Sequence, residues 1–149
     1  MSKNELTMTF EPYASKSLTD VIEEGLAFFN VAQTGVAGWH PVQIFLKDPT
    51  GEVMGGLLGT IWAGWLFIRL LWLRESVRGS GYGSKLLLAA EQHAIEKGCV
   101  NSYLDTHSWQ ARPFYEKLGY EVFGTLEDYP VRHKKFFLRK RLTEKNARN

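Results

Sequence analysis

The sequence predicts an α/β (mixed α+β) fold, and three observations predict it. Segments such as Val42 to Lys47 and Trp65 to Leu73 are apolar with the two-residue period of strands. Leu86, Leu87, Ala90 and Ala94 carry the three-and-four spacing of a helix. From Trp65 to Thr106 the order is strand, glycine-rich loop, helix, strand, which implies a right-handed crossover between two parallel strands. At 149 residues the chain is expected to form one domain with a substantial core.

Taken in order, Leu6 to Phe10 alternates as a first strand would. Ser17 reads as a helix cap with Asp20 three residues on, and Leu18, Val21, Ile22, Leu26 and Phe29 form a stripe suited to core packing. Asn30 to Pro41 reads as loop. Val42 to Lys47 is a strand, Asp48 to Gly51 a turn, Val53 to Trp62 a strand, and Ala63-Gly64 a turn. Trp65 to Leu73 should place Leu66, Ile68, Leu70 and Trp72 on one face and Phe67, Arg69, Leu71 and Leu73 on the other. Both faces are mostly apolar, so this strand should be central and covered on both sides. A helix ends at Lys97-Gly98, and a strand follows over Val100 to Thr106. Ala111 to Leu118 reads as a short helix with Pro113 in its first turn and Gly119 as its stop. Strands are expected at Tyr120 to Thr125 and Lys135 to Leu142, then a frayed polar tail over residues 143–149.

The chemistry concentrates in Leu70 to Gly83, where an apolar strand runs into Arg78 and the alternating Gly79, Gly81 and Gly83 before a helix. Glycine permits positive φ and close approach of backbone to a ligand. Unpartnered amides and the dipole at a helix start favour phosphate. Two other phosphate loops fit less well. The order Gly83-Ser84-Lys85 displaces the lysine of a P-loop, and the Gly-x-Gly-x-Gly spacing departs from a dinucleotide fingerprint, although Asp105 lies about where a ribose-binding acid would.

Composition narrows the classes. The net charge of +2 is too small to imply a polyanionic partner by itself. Cys99, the single cysteine, excludes an internal disulfide and a cysteine-based zinc cluster; it reads as a buried structural thiol and suits a cytoplasmic protein. The uncharged stretch Val53 to Ile68 is shorter than the ~20 residues of a membrane helix and is broken by four glycines, so no membrane partner is expected.

Two motifs together resemble the GNAT superfamily of N-acetyltransferases. Arg78-Gly-Ser-Gly-Tyr-Gly83 is similar to its Arg/Gln-x-x-Gly-x-Gly/Ala loop, and Ala111-Arg-Pro-Phe-Tyr-Glu-Lys-Leu-Gly-Tyr120 to its Ala-x-x-Phe-Tyr-x-x-x-Gly-Phe/Tyr segment. The likeness covers roughly Val42 to Leu142. It implies a mixed, mostly antiparallel sheet of about six or seven strands with helices on both faces. It also implies acetyl-CoA as cosubstrate, no metal, and a cleft between two splayed parallel strands. Arg78, Gly79, Ser80, Gly81, Tyr82, Gly83 and Ser84 would hold the pyrophosphate. The backbone of Leu71 and Leu73 would bond the acetyl oxygen and the pantetheine arm. Ala111 and Phe114 belong to the second motif, and Ser108 stands where the family often has an Asn contacting the arm. Tyr115 resembles the family's general acid. The acid that several members carry on the strand before the loop has no counterpart between Val53 and Arg74. By analogy a homodimer is expected.

Attack on a thioester requires a deprotonated amine, hence a base or a water chain. Asp105, His107 and, from the loop before the last strand, Glu127 and Asp128 are the candidates near the expected cleft, and imidazole titrates closest to neutral pH. Trp39 and Tyr129, with Glu127 and Asp128, could receive a cationic amine. The leading function is therefore acetyl transfer to a primary amine of a small molecule or peptide. A non-catalytic acyl-CoA sensor on the same fold is the second reading. A nucleic-acid binder using the basic segment Arg132 to Arg141 is the third, disfavoured by the low net charge.

Overall fold

The computed structural model describes residues 4–143 and divides the chain into two compact units, Met1–Ala37 and Gly38–Asn149. Of the expected tail, everything after Thr143 lies outside the described residues.

In the first unit, the strand expected at Leu6 to Phe10 does not form. Alternation needs a neighbouring strand to become a ladder, and this segment takes no place in the sheet. Helix α1 spans Lys16–Thr34 and ends at Gly35, whose φ of 69° closes the last turn through its N–H to the Val31 carbonyl. It runs through Asn30 to Thr34, which read as loop. Its N-cap is Ser15, not Ser17. Asp20 consequently lies too deep in the helix to complete a capping box and pairs with Lys16 at 2.7 Å instead. Among the described residues of this unit α1 buries none of its side chains, contrary to the expectation for its apolar stripe.

The second unit holds a six-stranded sheet in the order β1-β2-β3-β4-β6-β5. The strands are β1 His40–Lys47, β2 Val53–Trp62, β3 Trp65–Leu73, β4 Asn101–His107, β5 Glu121–Glu127 and β6 Lys134–Arg141. Among the described residues only β3 and β4 pair in parallel. They are joined by α2, Tyr82–Glu96, as the crossover requires. A short α3, Arg112–Lys117, links β4 to β5. Leu86, Leu87, Ala90 and Ala94 of α2 bury themselves with Leu57 of β2, Leu66 and Ile68 of β3, Leu104 of β4 and Leu138 of β6. Tyr115 and Tyr120 join the same core. Cys99 is buried too, and burial raises its thiol pKa, as suits a structural cysteine.

A bulge in β3 decides where the site lies. Leu58 pairs with Leu70 and Gly59 with Ile68, which leaves Arg69 without an opposite residue. The two-residue alternation therefore slips by one at Arg69. Leu71 and Leu73 pack against the core that holds Leu66 and Ile68, while Leu70 and Trp72 are 52% and 55% exposed. The faces expected from strict alternation are thus wrong beyond Ile68, and the strand is not covered on both sides there. Pairing of β3 with β4 ends at the same point, with Ile68 opposite Leu104. Beyond it, Asp105, Thr106 and His107 pair only with β6.

A polar network crosses the core. Lys140 of β6 donates to Glu91 of α2 at 2.7 Å, Tyr120 Oη donates to the same carboxylate at 3.0 Å, and Ser102 Oγ lies 2.9 Å from Tyr120 Oη. Glu91 is only 2% exposed. Burial, and then the Glu91 charge, pushes the Tyr120 phenol far above its ordinary range.

Candidate active site

Where β3 and β4 part, they leave a cleft of about 600 Å³. Arg69 to Leu73 of β3 form one wall, and Asp105 and Thr106 of β4 the other. Arg78 and Gly83 close one end, and Trp109, Gln110, Ala111, Phe114 and Tyr115 complete the lining. A depression of about 670 Å³ lies elsewhere, lined by Lys117, Arg139 and Arg141 with Glu121, but it has neither the glycine loop nor the strand divergence.

The end of the cleft is built from the loop. A 3-10 turn over Glu75–Val77 leads to Arg78, whose Nε donates to the Leu73 carbonyl at 2.9 Å and ties the loop back to β3. Gly81 caps α2 with φ 85°, a left-handed conformation that side-chain-bearing residues adopt only with strain. The helix's first closing bond runs from Lys85 N–H to the Gly81 carbonyl at 3.1 Å. The amides of Tyr82, Gly83 and Ser84 precede it and have no acceptor within the helix. A Cβ at Gly79 or Gly81 would meet nothing within 4 Å, so the loop's outer side is open. At Gly83 a Cβ would stand 3.3 Å from Phe114 Cζ, so this glycine lets α3 close on α2. Ser80 sits between the two left-handed glycines. An open loop, unpaired amides and an adjoining cleft fit a phosphate-bearing thioester.

Tyr115 is 8% exposed and lines the cleft. Burial first, and the Asp105 charge second, push its phenol up to about 12. Asp105 faces the same space and lies 3.6 Å from the Lys135 ammonium of β6. His107, two residues on and on the same face of β4, stands just outside the lining. Its ring stacks on Trp109 at 4.5 Å and on Tyr129 at 5.4 Å between centroids. Gln110 Oε1 accepts the His107 backbone N–H at 2.8 Å and lies 2.9 Å from ring Nδ1.

Other expected site residues fall elsewhere. Ser108 does not face the cleft: its Oγ accepts the Lys134 N–H at 3.0 Å and lies 3.4 Å from His133 Nδ1, so it ties β4 to the start of β6. The side chain presented to the cleft near that position is Gln110. Trp39 precedes His40, which pairs with Ile61, whereas the cleft opens beside Leu70 to Leu73, which pair with Leu58 to Gly55. Strand register therefore puts Trp39 at the opposite end of the sheet. Glu127 ends β5, where it pairs with Lys134, and Asp128 begins the turn to β6; both are exposed, and Glu127 lies 3.5 Å from the Lys134 ammonium. Among the described residues no group of three metal-ligating side chains occurs, and no helix is long and apolar enough to cross a membrane. Sequence reasoning missed Arg69, Trp109, Gln110 and Lys135. Only Gln110 had a local signal, its place directly before the Ala111 motif.

The profile of the Acetyltransferase (GNAT) family matches residues 8–120. The chain belongs to this family. Among curated relatives of this GNAT acetyltransferase is the blasticidin-S acetyltransferase of Streptomyces morookaense, 40% identical over 112 residues, covering 72% of this chain and 82% of that protein. Acetyltransferase Atu2258 of Agrobacterium fabrum is 35% identical over 105 residues, covering 70% and 77%. A crystal structure of an acetyltransferase-like protein from Agrobacterium tumefaciens superposes with a TM-score of 0.86 at 30% identity, covering 91% of this chain and 99% of that one.

Proposed function

We propose that this GNAT acetyltransferase carries the acetyl group of acetyl-CoA to a primary amine of a small molecule or peptide by direct attack. One observation carries the reading most: β3 and β4 diverge beside the start of α2, with the Tyr115 phenol in the wall between them. The bound thioester supplies an activated acetyl group. The amides around Gly79 to Ser84 hold the diphosphate, and Arg78 braces that loop against β3. The edge of β3 beyond Ile68, freed from β4, offers the backbone of Leu71 and Leu73 to the arm and the acetyl oxygen. His107, or Asp105 beside it, takes a proton from the amine. As the amine nitrogen bonds the acetyl carbon and the C–S bond breaks, Tyr115 donates its proton to the departing sulfur. A phenol held near pKa 12 stays protonated at neutral pH and is available for this step.

A small-molecule acceptor is supported by the 40% identity to a blasticidin-S acetyltransferase. Glu127 and Asp128, next to Tyr129, add negative charge on the His107 side and favour a cationic acceptor. Changing them to Gln and Asn should raise the acceptor KM and leave the acetyl-CoA KM alone; equal effects on both, or none, would remove this turn as a selector. The function itself is tested by mixing the protein with acetyl-CoA and an amine panel that includes blasticidin S, and measuring free thiol. Amine-dependent thiol release is expected. Acetyl-CoA binding without turnover on any amine would favour a sensor, and absence of acetyl-CoA binding would overturn the assignment.

A further inference from the structure

We propose that Gln110 is a positioning residue that sets the tautomer of His107, leaving Nε2 as the atom that accepts the proton of the acceptor amine. The proposal rests on the reading of His107 as base and adds which nitrogen acts and what makes it act.

The orientation of the Gln110 amide is fixed by the backbone. A peptide N–H can only donate, and the His107 N–H reaches one amide atom of Gln110 at 2.8 Å, so that atom is the oxygen. Thr106 Oγ1, at 3.2 Å from the same atom, can donate to it as well. The Gln110 N–H returns to the His107 carbonyl at 2.9 Å, closing a turn that holds the amide beneath the imidazole. His107 Nδ1 lies 2.9 Å from this oxygen. An unprotonated Nδ1 would set its lone pair against an oxygen that cannot donate. The neutral ring therefore carries its proton on Nδ1 and its lone pair on Nε2.

The remaining freedom of the ring is restricted by stacking on Trp109 and Tyr129. Nε2 has no partner among the described residues, and it is not a buried unsatisfied atom, so it reaches solvent. Trp109 and Gln110 both line the cleft, which places the imidazole immediately behind its wall. A proton acceptor needs an unengaged lone pair, and this arrangement leaves one on Nε2, beside residues that line the cleft.

The test uses the full chain and two readouts. Two-bond nitrogen–hydrogen correlation spectra of the neutral wild-type imidazole should show the Nδ1–H tautomer at His107; the Nε2–H tautomer would overturn the proposal without reference to activity. Gln110→Met keeps the side chain's length and removes the acceptor. It should bring in the Nε2–H form and lower kcat about 10-fold, within the range of acid–base effects, a larger change than in the acetyl-CoA KM. Wild-type kcat with an altered tautomer would sink the positioning role. His107→Gln separates the two claims: retained turnover in that variant removes His107 as base, whereas the tautomer measurement stands or falls independently.

Discussion

Tyr115→Phe removes one hydroxyl from the cleft wall and leaves the ring that packs against Phe114 and Tyr120. If that hydroxyl protonates the leaving sulfur, kcat should fall roughly 10²-fold or more while acetyl-CoA affinity hardly changes. A folded variant with wild-type turnover from pH 6 to 9 would refute the role. The pH dependence has a definite sign. Burial raises the native phenol to about 12, above the ordinary value of 10.0, so Tyr115 should not titrate over that range. Any stability it lends is complete below pH ~10 and is lost as pH rises through about 12. Gly81 acts differently, through backbone. At φ 85° a β-branched residue is strained whatever space surrounds it, so Gly81→Val should tilt the first amides of α2 away from the diphosphate. Calorimetry should show acetyl-CoA affinity reduced at least ~10-fold, about 1.4 kcal/mol. Unchanged affinity in a folded variant would take the loop out of the binding site.

The divergence of β3 and β4 is a property of elements, and Arg69 is its hinge. Deleting Arg69 removes the bulge yet keeps Leu66, Ile68, Leu71 and Leu73 on the core face, because the alternation then runs unbroken. The shortened chain should retain native circular dichroism, extend the β3–β4 pairing and bind acetyl-CoA at least ~10-fold more weakly. Full affinity would show that the bulge is not what opens the cleft. This is also where the sequence stops being legible. The glycine loop, the helix after it, the parallel crossover and Tyr115 could be read locally, since each depends on residues within a few positions of one another. The bulge could not, because it is a mismatch between the registers of two strands, and each strand alone looks regular. Ser108 was misread for a similar reason: its side chain is taken up by Lys134 and His133 at the start of β6, which only folding brings near. Trp39 was misplaced because its position follows from pairing on the far end of the sheet.

Across the whole molecule, α2 and β6 are pinned together by Glu91 and Lys140, 2.7 Å apart in the core. Removing one partner strands the other, so Lys140→Met or Glu91→Leu alone should cost about 3–5 kcal/mol. The double variant should recover much of that loss in Tm, since an apolar pair leaves no buried charge. A double variant as unstable as the sum of the singles would mean that the pair contributes packing, not charge balance. The same core holds α2 so that its first turn meets the opening between β3 and β4, and the central claim is that acetyl-CoA binds at that meeting point. Titrating isotopically labelled protein with acetyl-CoA and following its backbone amides tests this most directly. The largest shifts should fall on Tyr82, Gly83 and Ser84 and on Leu71 and Leu73. Shifts confined instead to the basic depression at Lys117, Arg139 and Arg141, with the α2 amides unmoved, would contradict it.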